Sequence, residues 1–446
     1  MYFDAHSDEV RAHDPFLLKL VEDGMIDEHK LQLLSSKEDM VEVRSEDMDE
    51  AFRQTLEYMR EGRQTIYNPV LIDKHWVGNP DFLERVEGRS KLGDYYYVAT
   101  DFKRSSQVHD EYKFQGCFYA ELLSRVQGVR PVQGYVILTG NEVASYMIEE
   151  FEHRYKLNLH EIESILAGKR PSHFVTSGCK QSPWFSECLD HSVSCDDLSL
   201  LNRVWKEEIH NLEQAGVTTV DALSKKTVID LEKMLPESNP QRLERLRDQA
   251  VALKEGKHTI VGDIEMPESD IELHFDIESS PLRDFDYLFG LLKVSSEGTE
   301  YIPFFAESPD QEEKMWKEFL SFIESHIDAP IYHYGWFEHE VIDRFAARYG
   351  MSDLLRDAFE RNMIDLLAIC RQHVIFPLSF YSLKDIAQYL GFSWDADDAG
   401  GANSVLWFEE WYEKRTPKIM SKLLRYNEDD VRATHVLQRW LREQSL

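Results

Sequence analysis

The chain is poor in cysteine and has no long hydrophobic run. It has five cysteines among 446 residues, which is too few for a disulfide framework and suits a reducing compartment. No apolar stretch is long enough to cross a bilayer, and the first residues lack the charged and apolar regions of a signal peptide. We therefore expect a cytoplasmic protein with no membrane partner.

Positive charge is also scarce. Lysine and arginine total 50 against 82 aspartates and glutamates, so the formal net charge is -32. This balance argues against broad nonspecific binding to phosphate, which normally requires clustered basic side chains. Residues 201–260 differ from the rest because ten basic and ten acidic residues cancel there. Divalent cations at carboxylate sites would offset part of the excess in the remainder.

The chain is long enough for two or three domains. An α/β pattern over about 12–175 predicts strands at 65–72, 75–86, 95–103 and 134–139, with a helix at 111–126. A second such pattern predicts strands at 271–277, 288–294, 301–306 and 329–334, with a helix at 310–326. We thus predict α/β domains over 1–175 and 261–446, joined by a cysteine-bearing and helical segment over 176–260.

Two acids share one face of the first strand in the C-terminal pattern. Apolar residues alternate with polar ones over 271–278, so Asp276 and Glu278 point to the same side. Tyr426 and Asp430 stand four residues apart in a predicted helix and share a face as well. The sequence therefore predicts that acids from two distant elements face one another.

Such a cluster has a chemical use in phosphodiester hydrolysis. Two divalent ions about 4 Å apart can generate a nucleophilic water and stabilise the leaving oxygen. Mg²⁺ and Mn²⁺ prefer carboxylate oxygens as ligands. A lone Asp-x-Glu is more often a solvated strand face in so acidic a chain, so order and context must supply the specificity.

The order of these residues resembles the DnaQ-like DEDD exonucleases of the ribonuclease H-like superfamily, in the subgroup whose last motif is Tyr-x-x-x-Asp. Residues 331–338 match the second motif, although Glu338 stands where the family usually has Asp, and Asp343 is a fallback. The resemblance implies that Asp276, Glu278, Glu338 and Asp430 bind Mg²⁺ or Mn²⁺ and that Tyr426 orients the attacking water.

Within that superfamily the chain looks most like the ribonuclease H-like half of a family of predicted RecB-like nucleases. Residues 364–366, 379–384 and 425–434 carry this resemblance, which covers most of 265–446. Asp365 could be a supporting acid or a helix cap. Ser382 is interpreted as an N-cap, with Asp385 completing a capping box.

An acid and a lysine share one face of a strand in the N-terminal pattern. Asp101 and Lys103 are two residues apart in the predicted strand 95–103. In a metal-dependent nuclease the carboxylate holds the ion, and the lysine positions or deprotonates the water. Chance Asp-x-Lys pairs are common, so the pair alone is a weak signal.

The surroundings of this pair resemble the PD-(D/E)XK nucleases of RecB type. Asp81 matches the upstream acid, Gln115 and Tyr119 match the following helix, and Glu28 matches an acid of the first helix. The resemblance implies a restriction-endonuclease-like fold in which Asp81, Asp101 and Glu28 serve the metal. Lys103 would assist the water while Gln115 and Tyr119 steady the site. The family usually has His before the glutamate, where this chain has Asp27.

Three cysteines lie between the two patterns. Related RecB-like nucleases often carry an iron–sulfur cluster here, but Ser182 occupies the second position of the usual Cys-x-x-Cys that would begin at Cys179. Four thiolates are the usual requirement for a cluster. We therefore expect Cys179, Cys188 and Cys195 to be ordinary thiols, with zinc binding that includes His191 as an alternative.

Residues 210–223 resemble a helix-hairpin-helix, which can hold a nucleic-acid phosphate. Gly216 would end one helix in a left-handed conformation, and Thr218 would cap the next with Asp221 three residues later. A plain helical connector is the alternative.

These features predict a metal-dependent nuclease acting on nucleic acid, with DNA favoured over RNA. We expect 3'-5' exonuclease activity from the C-terminal domain, a second nuclease site in the N-terminal domain, and a helicase or repair protein as partner. The alternative is a noncatalytic or half-active nucleic-acid-binding subunit of a repair or defence complex.

Overall fold

The computed structural model describes residues 6–7, 39–103, 107–138, 142–281, 283–395 and 401–445. The chain divides into two compact units, and the described residues up to Pro171 form the first and those from Ser172 onward form the second. Across these ranges, every helix is too short or too polar to cross a lipid bilayer.

The first unit is built on a mixed six-stranded sheet. Its elements are β1 (Met40–Glu42), α1 (Met48–Glu61), β2 (Thr65–Tyr67), β3 (Leu71–Asp73), β4 (Trp76–Gly78), β5 (Phe82–Ser90), β6 (Gly93–Phe102), α2 (Asp110–Gln127), β7 (Gln133–Ile137), β8 (Val143–Met147) and α3 (Glu152–Leu166). The order in the sheet is β1-β2-β5-β6-β7-β8. Strands β5 and β6 are antiparallel, and α2 connects β6 to the parallel strand β7.

Two of the predicted strands are each broken in the structure. The predicted strand 65–72 divides into β2 and β3, and the predicted strand 75–86 divides into β4 and β5. Pro69 and Pro80 lie at the two breaks. Proline has no backbone N–H to donate to a ladder, so the chain leaves the sheet there, and β3 and β4 pair as a separate hairpin.

The second unit begins with helices and continues into a five-stranded sheet. Its elements are α4 (Phe185–Cys195), α5 (Lys206–Gln214), α6 (Val220–Ser224), α7 (Val228–Met234), α8 (Pro240–Glu255), β9 (Thr259–Ile260), β10 (Ile271–Ser280), β11 (Phe285–Ser295), β12 (Gly298–Phe305), α9 (Glu312–Glu324), β13 (Ile331–His333), α10 (Phe337–Tyr349), α11 (Asp353–Asn362), β14 (Met363–Asp365), α12 (Leu366–His373), β15 (Val374–Ile375), α13 (Leu383–Tyr389), α14 (Gly401–Lys414) and α15 (Pro417–Gln444). The order in the sheet is β12-β11-β10-β13-β14.

The helices α5 to α8 pack around a core of their own, which contains Leu212, Val217 and Leu246. Gly216 has the predicted left-handed conformation, with φ +79°. The predicted cap at Thr218 is wrong, because Thr219 immediately precedes α6 and its side chain accepts the backbone N–H of Ala222 at 3.0 Å. Thr218 lies one residue too early to reach the first turn.

Strand β10 is central and is buried on both faces. One face places Phe275 in a core with Trp316 and Phe319. The opposite face lies under α15, where His274 contacts His435 with 3.1 Å between ring nitrogens. β10 pairs with β11 on one side and with β13 on the other. Both faces of such a central strand are buried when helices cover the two sides of the sheet. Most polar residues of β10 are therefore buried, and Asp276 and Ser279 are half-buried.

Candidate functional site

Three acids meet where β10 lies against α15. Asp276 and Glu278 come from β10 and Asp430 from α15, and one carboxylate oxygen of each lies within 4.8 Å of the others. The shared strand face brings the first two together, and packing of α15 on the sheet adds the third. Among the described residues, this acidic cluster is the one group of three His, Cys, Asp or Glu side chains arranged to hold a metal ion.

Each carboxylate of the acidic cluster accepts a hydrogen bond from a neutral donor. Asn427 donates to Asp276 at 2.7 Å, and Ser404 donates to Glu278 at 2.8 Å. The indole Nε1–H of Trp394 donates to Asp430 at 2.6 Å. These bonds fix the orientation of the carboxylates. They do not cancel their charge, because all three donors are neutral.

The donor to Asp276 is itself held in place. The hydroxyl of Tyr301 donates to Asn427 Oδ1 at 2.8 Å, which leaves the amide Nδ2 to face the carboxylate. Gly290 is the partner of Asp276 in the β10–β11 register. A Cβ at Gly290 would lie 1.6 Å from Asn427 Oδ1, so only glycine leaves room for the amide.

Burial disfavours the ionised form of all three acids, and repulsion within the cluster adds to this effect on the pKa of Asp276 and of Glu278. Burial, followed by repulsion from Asp430, Glu278 and Glu338, raises the pKa of Asp276 well above its usual range. Burial and the charge of Asp430 raise the pKa of Glu278 to about 8. The pKa of Asp430 rises to about 7, again chiefly through burial. Buried acids that repel one another are the arrangement that a divalent cation relieves.

Tyr426 lies one helical turn before Asp430 and is buried, as the sequence pattern requires. Burial, with the negative charges of Asp430, Glu278 and Asp276, raises the pKa of its hydroxyl far above the usual range. The phenol therefore keeps its proton and is a hydrogen-bond donor beside the carboxylates.

Glu338 lies near the acidic cluster but outside it. It is buried at the start of α10, and its charge contributes to the raised pKa of Asp276. Its Oε2 lies 3.5 Å from His333 Nδ1 and has no hydrogen-bond partner among the described residues. A buried carboxylate oxygen without a partner fits a ligand that awaits a cation. The fallback residue Asp343 is exposed on α10.

Asp365 and Ser382 are both helix caps. Asp365 precedes α12 and accepts the N–H groups of Leu367 at 2.8 Å and Gly335 at 2.9 Å. Both bonds go to Oδ1, so this oxygen serves the backbone. Ser382 and Asp385 form the predicted capping box at α13.

The first unit brings together five of the predicted site residues. Lys103 Nζ lies 3.0 Å from Asp101 Oδ2 and donates to Gln115 Oε1 at 2.7 Å. Gln115 donates in turn to the hydroxyl of Tyr119 at 2.7 Å. Asp81 Oδ2 accepts the N–H of Phe102 at 2.8 Å, and Asp101 accepts the N–H of Asp81 at 3.1 Å. A continuous chain of polar contacts thus runs from Asp81 to Tyr119.

Opposing influences act on the buried acid of this chain. Burial raises the pKa of Asp101, the positive charge of Lys103 lowers it, and the charge of Asp81 raises it. The remaining predicted acid, Glu28, lies outside the described residues.

The three cysteines between the sheets do not converge. Cys179 lies near Thr176, with 3.5 Å from its sulfur to the threonine Oγ1, and Cys195 lies 3.7 Å from His191 Nε2. The five cysteines, all of which lie within the described residues, form no disulfide. The described residues place no three Cys or His ligands together at these positions.

Comparison with known families agrees with the sheet and its acids. Residues 273–442 match the RNase_H_2 family of the RNase H superfamily. The matched region begins in β10 and ends in α15, so it contains the whole acidic cluster. The C-terminal part of the chain is therefore an RNase H-like domain, and its cluster is consistent with a nuclease. A search of curated proteins gave no match.

Sequence reasoning missed the three donors to the acidic cluster. Asn427 stands three residues before Asp430 in the same helix, so the shared helix face was an available signal. Ser404 and Trp394 have no comparable signal, because they are remote in sequence from the acids that they contact.

Proposed function

We propose that this protein is a metal-dependent nuclease whose main catalytic site is the acidic cluster of the RNase H-like domain. The observation that carries this proposal is that three carboxylates, one buried and two half-buried, lie within 4.8 Å of one another. Their hydrogen-bond donors Asn427, Ser404 and Trp394 are neutral and do not offset the repulsion between them. Such an arrangement costs stability without a cation, so binding two divalent ions is its best physical explanation.

Asp276, Glu278 and Asp430 would hold Mg²⁺ or Mn²⁺, with Glu338 as a fourth ligand. When bound, these ions supply a nucleophilic water near neutral pH and stabilise charge on the leaving oxygen. Asn427 orients Asp276, and protonated Tyr426 donates a hydrogen bond to the water or phosphate. The resemblance to the DnaQ-like exonucleases implies 3'-5' exonuclease cutting, and we favour DNA over RNA as the substrate.

The first unit would be a second nuclease site of the PD-(D/E)XK type within a domain over 1–175. Its support is the β5-β6-α2-β7 arrangement and the contact chain from Asp81 to Tyr119. Asp81 and Asp101 would serve the metal, and Lys103 would position the water. The domain over 176–260 would join it to the exonuclease domain over 261–446.

Two exposed aromatic rings at the start of α10 suit a nucleic-acid substrate. Trp336 is 64% exposed and Phe337 is 43% exposed, and both immediately precede Glu338. A flat exposed ring can stack on a base without regard to sequence.

The test is cutting of end-labelled and circular DNA and RNA with Mn²⁺ by wild type, Asp276→Asn and Asp101→Asn. Asp276→Asn should lose at least about 100-fold of the exonuclease activity, since it removes a metal ligand. Asp343→Asn is the matched control, because this acid is exposed and its loss should leave cutting unchanged.

Loss in only one of the two site variants would identify the working unit. A wild type that cuts none of the substrates would overturn the catalytic proposal and favour a noncatalytic binding subunit.

A further inference from the structure

A groove in the second unit combines basic and aromatic side chains and contains no acid. It has a volume of about 670 Å³ and runs between the segment 174–206 and the loop 379–382. A second cavity of about 290 Å³ adjoins it and shares Arg203, Trp205 and Arg371 with it. The linings of the two cavities together contain six basic side chains, namely Lys180, Arg203, Lys206, Arg242, Arg245 and Arg371.

This charge is unusual for the molecule. The whole chain carries 82 acids against 50 lysines and arginines, yet the two linings contain no acid. Acids outside the linings hold two of the basic groups, since Glu208 pairs with Arg242 and Asp385 pairs with Lys180. Among the described residues, Arg203, Lys206 and Arg371 form no ion pair, so their charges face the groove uncompensated.

Rings alternate with the charges along the groove. Trp205 is 63% exposed. Lys180 Nζ lies 4.9 Å from the ring centre of Phe380, and Lys206 Nζ lies 5.5 Å from that of Phe174. Cations bind phosphates, and exposed rings stack on unpaired bases, which a duplex keeps stacked inside itself.

The groove adjoins the cavity of the acidic cluster. Ser382 lines both the groove and the cavity that contains Asp276, Tyr426 and Asp430. Lys384, two residues further along α13, adds positive charge on the side of the acids. A strand lying in the groove would therefore reach the acids past the start of α13.

We propose that this groove binds the single-stranded part of a nucleic-acid substrate and leads its end to the acidic cluster. The cutting step rests on the proposed function, whereas binding does not. A nonspecific track for one strand explains how an acidic protein holds a polyanion, because the two linings gather six basic side chains and no acid along one path.

The test measures binding of labelled oligothymidylate and of a labelled hairpin duplex by fluorescence anisotropy in EDTA. Trp205→Ala should weaken single-strand binding at least about fivefold, and Trp205→Phe should restore most of it, because stacking on one base is lost and then recovered. Ile229→Ala is the control, since Ile229 is also exposed, at 62%, and lies outside the groove.

The contribution of the basic side chains to binding is tested with the double variant Lys206→Ala/Arg371→Ala. This double variant should reduce the slope of log Kd against log salt by about 1.4, since each phosphate contact on a single strand contributes about 0.7. Lys314→Ala/Arg356→Ala removes the same charge from exposed helix surfaces and should change neither slope nor affinity by more than about twofold.

Steady-state kinetics of cutting distinguish the role of the groove from that of the catalytic site. Groove variants should raise KM on long single strands much more than on a dinucleotide and leave kcat unchanged, because a dinucleotide offers the groove fewer phosphates and bases. The proposal is overturned if wild type does not bind the oligonucleotide, if it prefers the duplex, or if the groove variants bind like their controls. Failure of the proposed function would appear separately, as equal or absent cutting by wild type and Asp276→Asn.

Discussion

The two candidate sites of this chain differ in how the negative charge of their acids is offset. In the first unit, Lys103 lies beside Asp101 and offsets its charge. In the second unit, Asp276, Glu278 and Asp430 lie within reach of one another, and their hydrogen-bond donors are neutral. The first site is thus partly neutralised by the protein, whereas the second is an acidic triad that could bind a divalent metal. This difference predicts how each site responds to metal, packing, pH and loss of charge.

Metal binding should stabilise the second unit strongly. Mn²⁺ at 100 times its Kd should raise the free energy of unfolding by about 2.7 kcal/mol in wild type. Asp276→Asn should lose most of this gain, and Asp101→Asn should keep it in the second unit. Tryptophan fluorescence isolates that unit during thermal unfolding, because eight of the nine tryptophans lie in it. Equal stabilisation of wild type and Asp276→Asn by Mn²⁺ would refute the cation site.

Gly290→Ala should damage the acidic cluster through packing alone. The new Cβ would overlap Asn427 Oδ1 and push the amide from Asp276, at a cost of about 2 kcal/mol in unfolding free energy. Mn²⁺ affinity should fall as well. Gly178→Ala is the control, since its Cβ would meet nothing closer than 3.6 Å. Identical urea unfolding curves for the two variants would show that the cluster does not depend on Asn427.

Stability without metal should fall as pH rises. The folded-state pKa values of Glu278 and Asp430, about 8 and about 7, exceed those of unfolded carboxyls, so the folded protein binds more protons. The stabilisation is complete below the pKa of unfolded carboxyls, about 4, and is lost as pH rises from there to the folded-state values of about 7 and about 8, by up to about 1.4 kcal/mol per pH unit for each proton.

Urea titrations in EDTA above about pH 6.5 measure this slope, and Asp430→Asn should reduce it. The lower limit avoids a contribution from His435. Burial lowers the pKa of His435 to about 4 in the folded state. Below about pH 6.5 the unfolded state therefore binds a proton that the folded state does not, which destabilises the fold. A rise in stability over the same range would contradict the proposed repulsion.

Removing one acid should have opposite effects at the two sites in EDTA at pH 8. Asp276→Asn should raise the free energy of unfolding by about 1 kcal/mol because it relieves repulsion. Asp101→Asn should lower it by about 1 kcal/mol because Lys103 loses its partner. Unfolding curves of the two variants and wild type decide the signs. Changes of the same sign would remove the distinction between the sites.

Much of both sites was visible in local patterns. Alternation along a strand placed Asp276 with Glu278 and Asp101 with Lys103, and the helical repeat placed Gln115 with Tyr119. The same reasoning failed at Pro69 and Pro80, where period-2 patterns continued across residues that cannot join a ladder, and at Thr218, which lies one residue before the true cap.

The sequence by itself determined which side chains share a face, because the period of a strand or helix is a property of the local backbone. Only the tertiary structure decided that β10 is covered on both faces, that Glu338 lies beside His333 outside the acidic cluster, and that Ser404 and Trp394 reach Glu278 and Asp430. Those contacts join residues far apart in the chain, and they depend on how helices pack on the sheet. No local period encodes them.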